Sequence, residues 1–410
     1  MQTKFPRILL IGIGGVYNYG CEAIVRGTEA IIRREYPDAS IVYASRRVAA
    51  DRKRLEGSKV QVIERGQFKR YSAKNMGRKL LSLAGIRWSP MVESLGLLEN
   101  VDAVFSIGGD IYTLGPTGSY SMPFPKFGDA AEKLGIPYVL WGASVGPFTE
   151  NPKAERAFTK HLKCLSLITA RETATVDYLR TLGVSDNVVP CADPAFVVAP
   201  EIKANGSRQT GEFTIGINLS PVSIRYTEHS EGEAIRVQAK TIEELIQTFD
   251  ARIVLIPHVV SDLNEGDDDL RYLRRVRQAI AEHRNALSLL ESDPGYVGAK
   301  KELVKCDLVI AARMHCAINA LAAHVPTILV AYSRKAAGMC QYVYGDGNWV
   351  LPLDEFASEG LLEGKVRSMK NHESQIRNYL EKRIPEIQQE SYRPLRRLKE
   401  MLGDDEPPRQ

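Results

Sequence analysis

The stretch from Asp307 to Gly345 reads DLVIAARMHCAINALAAHVPTILVAYSRKAAGMCQYVYG, a strand, a turn and a helix followed by the same pattern again. The first strand ends at Arg313, Met314 and His315 before a helical run from Cys316. The second ends at Tyr332, Ser333, Arg334 and Lys335 before another. In a parallel βαβ unit both turns open on one edge of the sheet, so Arg313, His315 and Lys335 can converge although His315 and Lys335 lie 20 positions apart (335 − 315). Leu308 to Gly345 holds Arg313, Arg334 and Lys335 but no Asp or Glu, a composition suited to an anion. Unpaired N–H groups at helix N-termini would add to the attraction. Arginine offers a planar fork and lysine a compact point charge. His315 begins a helix, where the dipole favours a neutral ring unless a bound anion offsets it. A trianionic ligand would do so and make His315 a general acid. His324, at the far end of that helix, reads as structural.

Other strand ends carry further polar groups. Asn218 and His258 close two strands of the second half and serve equally well as pocket residues or turn residues. In the first half, GIGGVYNYGCEAI offers Gly14, Gly15 and Asn18 between a strand and a helix. It does not fit G-x-G-x-x-G with an acidic partner after the next strand, which counts against a dinucleotide site. SIGGD supplies Gly109 and Asp110, and GASVGP supplies Ser144. Arg171, before another helix, reads as a second anion clamp, and Glu172 as a first-turn acid. Asp193 reads as a turn residue, and Asp267 to Asp269 as an N-cap and first turn, so no metal site is inferred. From Arg65 to Arg87 seven Lys or Arg occur without an acid. The run suits either a solvated face or peripheral contact with an anionic membrane or a lipid-linked pyrophosphate.

Positioning these groups requires alternating strands and helices. Apolar runs at Arg7 to Ile13, Ile41 to Ala44, Val60 to Ile63, Ala103 to Ile107, Tyr138 to Trp141, Leu165 to Thr169 and Val188 to Pro190 predict a first parallel sheet covered on both faces. A polar stretch from Val198 to Glu212 marks a boundary. Strands at Phe213 to Asn218, Arg252 to Pro257, Ala286 to Leu290, Leu308 to Ala311 and Thr327 to Ala331 predict a second sheet. The expected organisation is an α/β chain with two Rossmann-like doubly wound domains, residues 1–205 and 206–372, facing a cleft, and a C-terminal helix with a tail, 373–410, packing back on the first. Ligands in such sheets sit beyond the carboxyl ends of the strands.

Composition supports this and excludes other classes. The 410 residues, 44% hydrophobic and 25% charged, are too many for one small module and too ordinary for a disordered or fibrous chain. A formal charge of +4 does not indicate a nucleic-acid partner. Six scattered cysteines without a CxxC pair fit a reducing cytoplasm, and the glycine-broken N-terminal apolar run reads as a strand, with no export signal or membrane span.

Taken in order, GIGGVYNYGCEAI, SIGGD, GASVGP, ARETATVDYLRTLG, CADPAF, IGINLS, IPH and ARMHCAINALAAHVPTILVAYSRKAAGM resemble the polysaccharide pyruvyl transferase family over roughly Ile8 to Gly345. The R-x-H turn followed by the Y-x-x-K turn is the most specific part. Asp110 stands where the family often carries a third glycine. The resemblance implies a GT-B-like pair of domains that transfers pyruvate from phosphoenolpyruvate to sugar hydroxyls, with no cofactor beyond that co-substrate. The acceptor would be a polysaccharide unit or a lipid-linked oligosaccharide. By motif match His315, Lys335 and Arg171 become catalytic residues, with Arg313 in support. Phosphoenolpyruvate would bind the second domain and the acceptor the first, near Gly14, Gly15, Asn18, Gly109, Asp110 and Ser144. Two other readings share the architecture: a nucleotide-sugar glycosyltransferase, which commonly needs a ribose-binding acid missing from Leu308 to Gly345, and a non-catalytic sugar or phosphate binder.

Overall fold

The computed structural model describes residues 5–66, 90–115, 117–198, 211–225, 230–262, 265–331, 334–356, 358 and 360–403. The chain forms two compact units. The first comprises residues 1–15, 24–194 and 390–410, the second 16–23 and 195–389. The expected boundary at 205/206 and the basic run beyond residue 66 lie outside the described residues.

The first unit is built on seven parallel strands in the order β3-β2-β1-β4-β5-β6-β7, with β1 at Arg7–Ile11, β2 at Ser40–Ser45, β3 at Gln61–Glu64, β4 at Ala103–Ile107, β5 at Tyr138–Ala143, β6 at Leu167–Ala170 and β7 at Val188–Pro190. The second has six, β10-β9-β8-β11-β12-β13, with β8 at Thr214–Asn218, β9 at Arg252–Leu255, β10 at Leu287–Leu289, β11 at Leu308–Ala311, β12 at Thr327–Ala331 and β13 at Val350–Pro352. Every pairing is parallel. This is the doubly wound arrangement expected from the sequence, and β13 is an addition to it. Three residues long and at the sheet edge, β13 lies in the short apolar run Trp349 to Leu353, which Pro352 interrupts.

Position in the sheet follows composition. β4, β5, β6 and β11 are buried along their whole length, which is why they lack a polar alternation. Each large side chain so enclosed contributes about 1.5–3 kcal/mol. The edge strands β7 and β10 stay partly exposed.

The order of strands reverses between β1 and β4 in the first unit, and between β8 and β11 in the second, so a ligand crevice is expected outside those strand ends. Gly12 lets the chain after β1 pass close to the end of β4. Its φ is +121°, and a Cβ there would lie 2.2 Å from the Ile107 carbonyl oxygen. The C-terminal helical region consists of helices Glu373–Glu390 and Leu395–Leu402. Residues from Glu390 onward belong to the first unit, where the Arg34 guanidinium lies 4.0 Å from the Tyr392 ring centre and Lys399 pairs with Glu35. Among the described residues no helix is long and apolar enough to cross a membrane.

Candidate functional site

In the second unit, β11 runs into the helix Met314–Leu321 through Arg313, whose extended backbone occupies the N-cap position. Its carbonyl accepts from Cys316 and Ala317 N–H at 3.0 and 3.1 Å. His315 is thus the second residue of that helix. Lys335, half-buried, is the second residue of the helix Arg334–Tyr344 that follows β12. Since β11 and β12 are parallel neighbours, with Ala311 opposite Leu329, the His315 and Lys335 turns leave the same sheet edge side by side. Tyr332 and Ser333 lie outside the described residues.

The electrostatics of this edge differ from the expectation of an acid-free cationic turn. Arg313 is held by acids from a distant segment: its Nη2 donates to Asp267 Oδ1 and Asp269 Oδ1, each at 2.7 Å, and its Nε to Asp269 Oδ1 at 3.1 Å. Burial opposes the charge on Arg313, but the two carboxylates more than offset this and hold its pKa above the ordinary range. Counting acids along Leu308 to Gly345 alone missed them because β9 lies two strands from β11, and the loop after it carries Asp267 and Asp269 to the Arg313 turn. Asp268 does cap its helix, accepting from Arg271 N–H at 3.1 Å, as the sequence predicts. Its neighbours instead face inward.

Asn218 and His258 belong to the same scaffold. Asn218, fully buried, donates to the Ile256 carbonyl at 2.9 Å and accepts from Arg313 N–H at 2.9 Å. His258 is 1% exposed, and its main-chain N–H donates to Asp269 at 3.0 Å. Burial, together with nearby His315 and Arg313, pushes its imidazole down to about 3, so the ring is neutral at physiological pH.

Asn18 lies in this unit too. It bridges to Val259, and its Oδ1 accepts from Gly20 N–H at 2.9 Å at the start of the helix Tyr19–Glu35. The sequence grouped Asn18 with the first domain because it follows β1. The chain leaves that sheet and lays residues 16–23 on the second unit. Tyr19, which no motif singled out, is fully buried there. Its N–H donates to the His258 carbonyl at 3.0 Å, and its hydroxyl to Asp293 at 2.6 Å. Gly20 presses against the imidazole of His315, for a Cβ at residue 20 would lie 2.4 Å from Nδ1.

In the first unit, Gly14 opens into free space, with nothing within 4 Å of an added Cβ, and Gly15 is buried. Gly109, Asp110 and Ser144 follow β4 and β5. Ser144 N–H donates to the Gly109 carbonyl at 3.0 Å, and Gly146 N–H to that of Tyr112 at 2.8 Å, stitching the two loops together. Behind them Tyr112 contacts His161 at 2.9 Å, and His161 contacts Asp129 at 2.7 Å. Asp110 is exposed.

Arg171 is not an open clamp. It is 8% exposed, and its Nη1 donates to Asp193 at 2.5 Å and its Nε to Ser144 Oγ at 3.2 Å. Ser144 Oγ donates in turn to Glu172. Burial works against the charge on Arg171, yet Asp193, Asp110 and Glu172 outweigh it and raise its pKa. The pairing of Ala170 with Pro190 across β6 and β7 brings Arg171 and Asp193 to one edge, the same reasoning that joins His315 to Lys335. Gly109 lies against this guanidinium, where a Cβ would sit 2.0 Å from Nη2. Among the described residues no group of three or more His, Cys, Asp or Glu is arranged to hold a metal ion.

A family model for polysaccharide pyruvyl transferase matches residues 18–334. No curated protein sequence matches the chain significantly. Among solved structures, the Anabaena protein HepE in complex with UDP and glucose is 14% identical, with a TM-score of 0.56 over 98% of this chain and 99% of that one. A putative UDP-N-acetylglucosamine 2-epimerase from Listeria monocytogenes is 12% identical, with a TM-score of 0.61 over 100% and 99%. A glycosyltransferase from Rickettsia africae is 11% identical, with a TM-score of 0.57 over 98% and 100%. These likenesses place the fold in the GT-B-like class.

Proposed function

The chain belongs to the polysaccharide pyruvyl transferase family, and from that premise we propose that it moves a pyruvyl group from phosphoenolpyruvate to two hydroxyls of a sugar, closing a cyclic ketal and releasing phosphate. The observation that carries this reading is the placement of His315 and Lys335 on adjacent turns at the carboxyl edge of β11 and β12.

His315 gives a proton to the methylene carbon of the enol, leaving a cationic carbon that bears the carboxylate and the phosphate ester. A sugar hydroxyl adds to that carbon and loses its proton. The C–O bond to phosphate then breaks, and a second hydroxyl adds and loses its proton to complete the ketal. Lys335 neutralises negative charge as it gathers on the departing phosphate, a contribution typically worth a hundredfold or more in rate. Holding both hydroxyls near one carbon makes the second addition effectively intramolecular. Arg313, its charge already met by Asp267 and Asp269, contributes the shape of the turn. On the first unit, Gly109, Asp110 and Ser144 receive the acceptor, a sugar of the polysaccharide or of its lipid-linked precursor, and Arg171 orders Ser144 and Glu172 around it.

The test is acceptor-dependent phosphate release from phosphoenolpyruvate, monitored together with the mass gain of the acceptor. His315→Ala and Lys335→Ala should each lower turnover at least a hundredfold while the chain stays folded. Undiminished turnover in both would sink the assignment. A nucleotide-sugar transfer, suggested by the likeness to a protein solved with UDP, would instead release nucleotide, which ultraviolet absorbance detects.

A further inference from the structure

We propose that Asp269 is a positioning residue for His315, acting through Arg313; this rests on the pyruvyl-transfer reading above. The Asp269 side chain is fully buried and receives five donor groups: Asn218 Nδ2, the main-chain N–H groups of His258 and Val259, and Nε and Nη2 of Arg313. These donors come from the carboxyl ends of β8 and β11 and from the loop after β9, so one carboxylate ties the three strand ends that frame the crevice of the second unit. Asn218 closes the knot by accepting from Arg313 N–H at 2.9 Å.

Ionised carboxylate is the group that suits this place. It offers two oxygens with about four lone-pair sites and no hydrogens. An amide of the same size would turn an NH2 toward N–H donors and would leave the guanidinium with Asp267 alone of its two carboxylate partners. Arg313 stands two residues before His315, and its carbonyl accepts from the Cys316 and Ala317 N–H groups in the first turn of the helix that carries the imidazole. Tilting Arg313 therefore tilts His315. The same bonds hold two of the three guanidinium nitrogens inside the protein, which makes Arg313 a strut for the turn. Nothing in the sequence of the His315 turn shows this, because Asp269 lies 44 positions away in the chain.

The experiment compares Asp269→Asn, Arg313→Gln and the double variant in the full-length chain, by acceptor-dependent phosphate release from phosphoenolpyruvate and by 15N-histidine NMR of the imidazole groups without substrate. Each single substitution should lower kcat at least thirtyfold and leave KM for phosphoenolpyruvate within about threefold. The double variant should be no worse than the poorer single, since one strut is lost in all three. The His315 ring resonances should shift in every variant. Additive losses would overturn the proposal, as would a tenfold rise in KM for Arg313→Gln with kcat intact in Asp269→Asn, because Arg313 would then bind the donor itself. Should Asp269→Asn fail to fold, the double variant, which removes the fully buried carboxylate together with Arg313 and leaves Asp267 with its side chain 20% exposed, carries the same test. If the unmodified protein does not consume phosphoenolpyruvate, the functional reading fails, whereas unshifted His315 resonances defeat the positioning role independently.

Discussion

Replacing Gly20 by alanine sets two calculable effects against each other. The new methyl carbon would lie 2.4 Å from Nδ1, 2.6 Å from Cγ and 3.0 Å from Cβ of His315. Comfortable contact begins at about 3.5 Å, so the ring must withdraw by about 1 Å. Because His315 Cβ is also crowded, ring rotation alone does not relieve the contact, and the backbone must yield by a few tenths of an ångström. A displacement of about 1 Å at a reacting group costs on the order of a hundredfold in rate, or about 2.7 kcal/mol of barrier. Alanine within a helix is favoured over glycine by about 1 kcal/mol, which partly offsets an overpacking cost of about 1–3 kcal/mol. The variant should therefore melt within a few degrees of the parent yet lose about 99% of turnover. The assay is phosphate release at saturating phosphoenolpyruvate and acceptor, with thermal melting in parallel. Gly232→Ala, near the start of the helix Glu231–Phe249 with nothing within 4 Å of its added Cβ, is the control for helix propensity and should keep full activity. If Gly20→Ala retained more than about a third of parent turnover, neither the close packing of His315 nor its role as acid would stand.

Other perturbations probe the two scaffolds. Asp193→Asn strands the buried Arg171 guanidinium and should cost roughly 3–5 kcal/mol in chemical denaturation, while Arg171→Met combined with Asp193→Leu should recover much of it; an unchanged midpoint in the single variant would contradict the ion pair. His258, neutral in the fold with its pKa at about 3 against an ordinary 6.5, contributes stability that is fully present above pH 6.5 and lost as the pH falls toward 3. Its share of the slope is about 1.4 kcal/mol per pH unit, and His258→Gln should remove it. A gap between parent and variant that stayed constant from pH 7 to about 4.5 would refute the buried neutral ring. Gly12→Ala meets the Ile107 carbonyl at 2.2 Å in a backbone conformation with φ +121°, and should lower stability by about 1–3 kcal/mol in denaturant titration, whereas no loss would show that the β1 and β4 loops are not in contact.

How far the fold and site could be read from the chain depends on the range of the interactions. Twelve strands were legible because a parallel sheet enclosed by helices demands apolar runs, and those runs stand alone in the sequence; β13 lies in a short run, Trp349 to Leu353, that Pro352 interrupts, a weak strand signal. The pairing of the His315 and Lys335 turns was legible too, since consecutive βα units must open on one edge. The partners of the charges were not. Arg313 finds Asp269 across 44 positions and Arg171 finds Asp193 across 22, and composition near an arginine says nothing about acids delivered by other strands. The course of residues 16–23 was equally hidden, because the motif shows a loop followed by a helix without showing which sheet the helix start lies upon. Local propensity and periodicity act within a few residues and so specify elements and their edges. Charge neutralisation and steric contact act through space, and only the folded chain decides which cations remain available for a ligand.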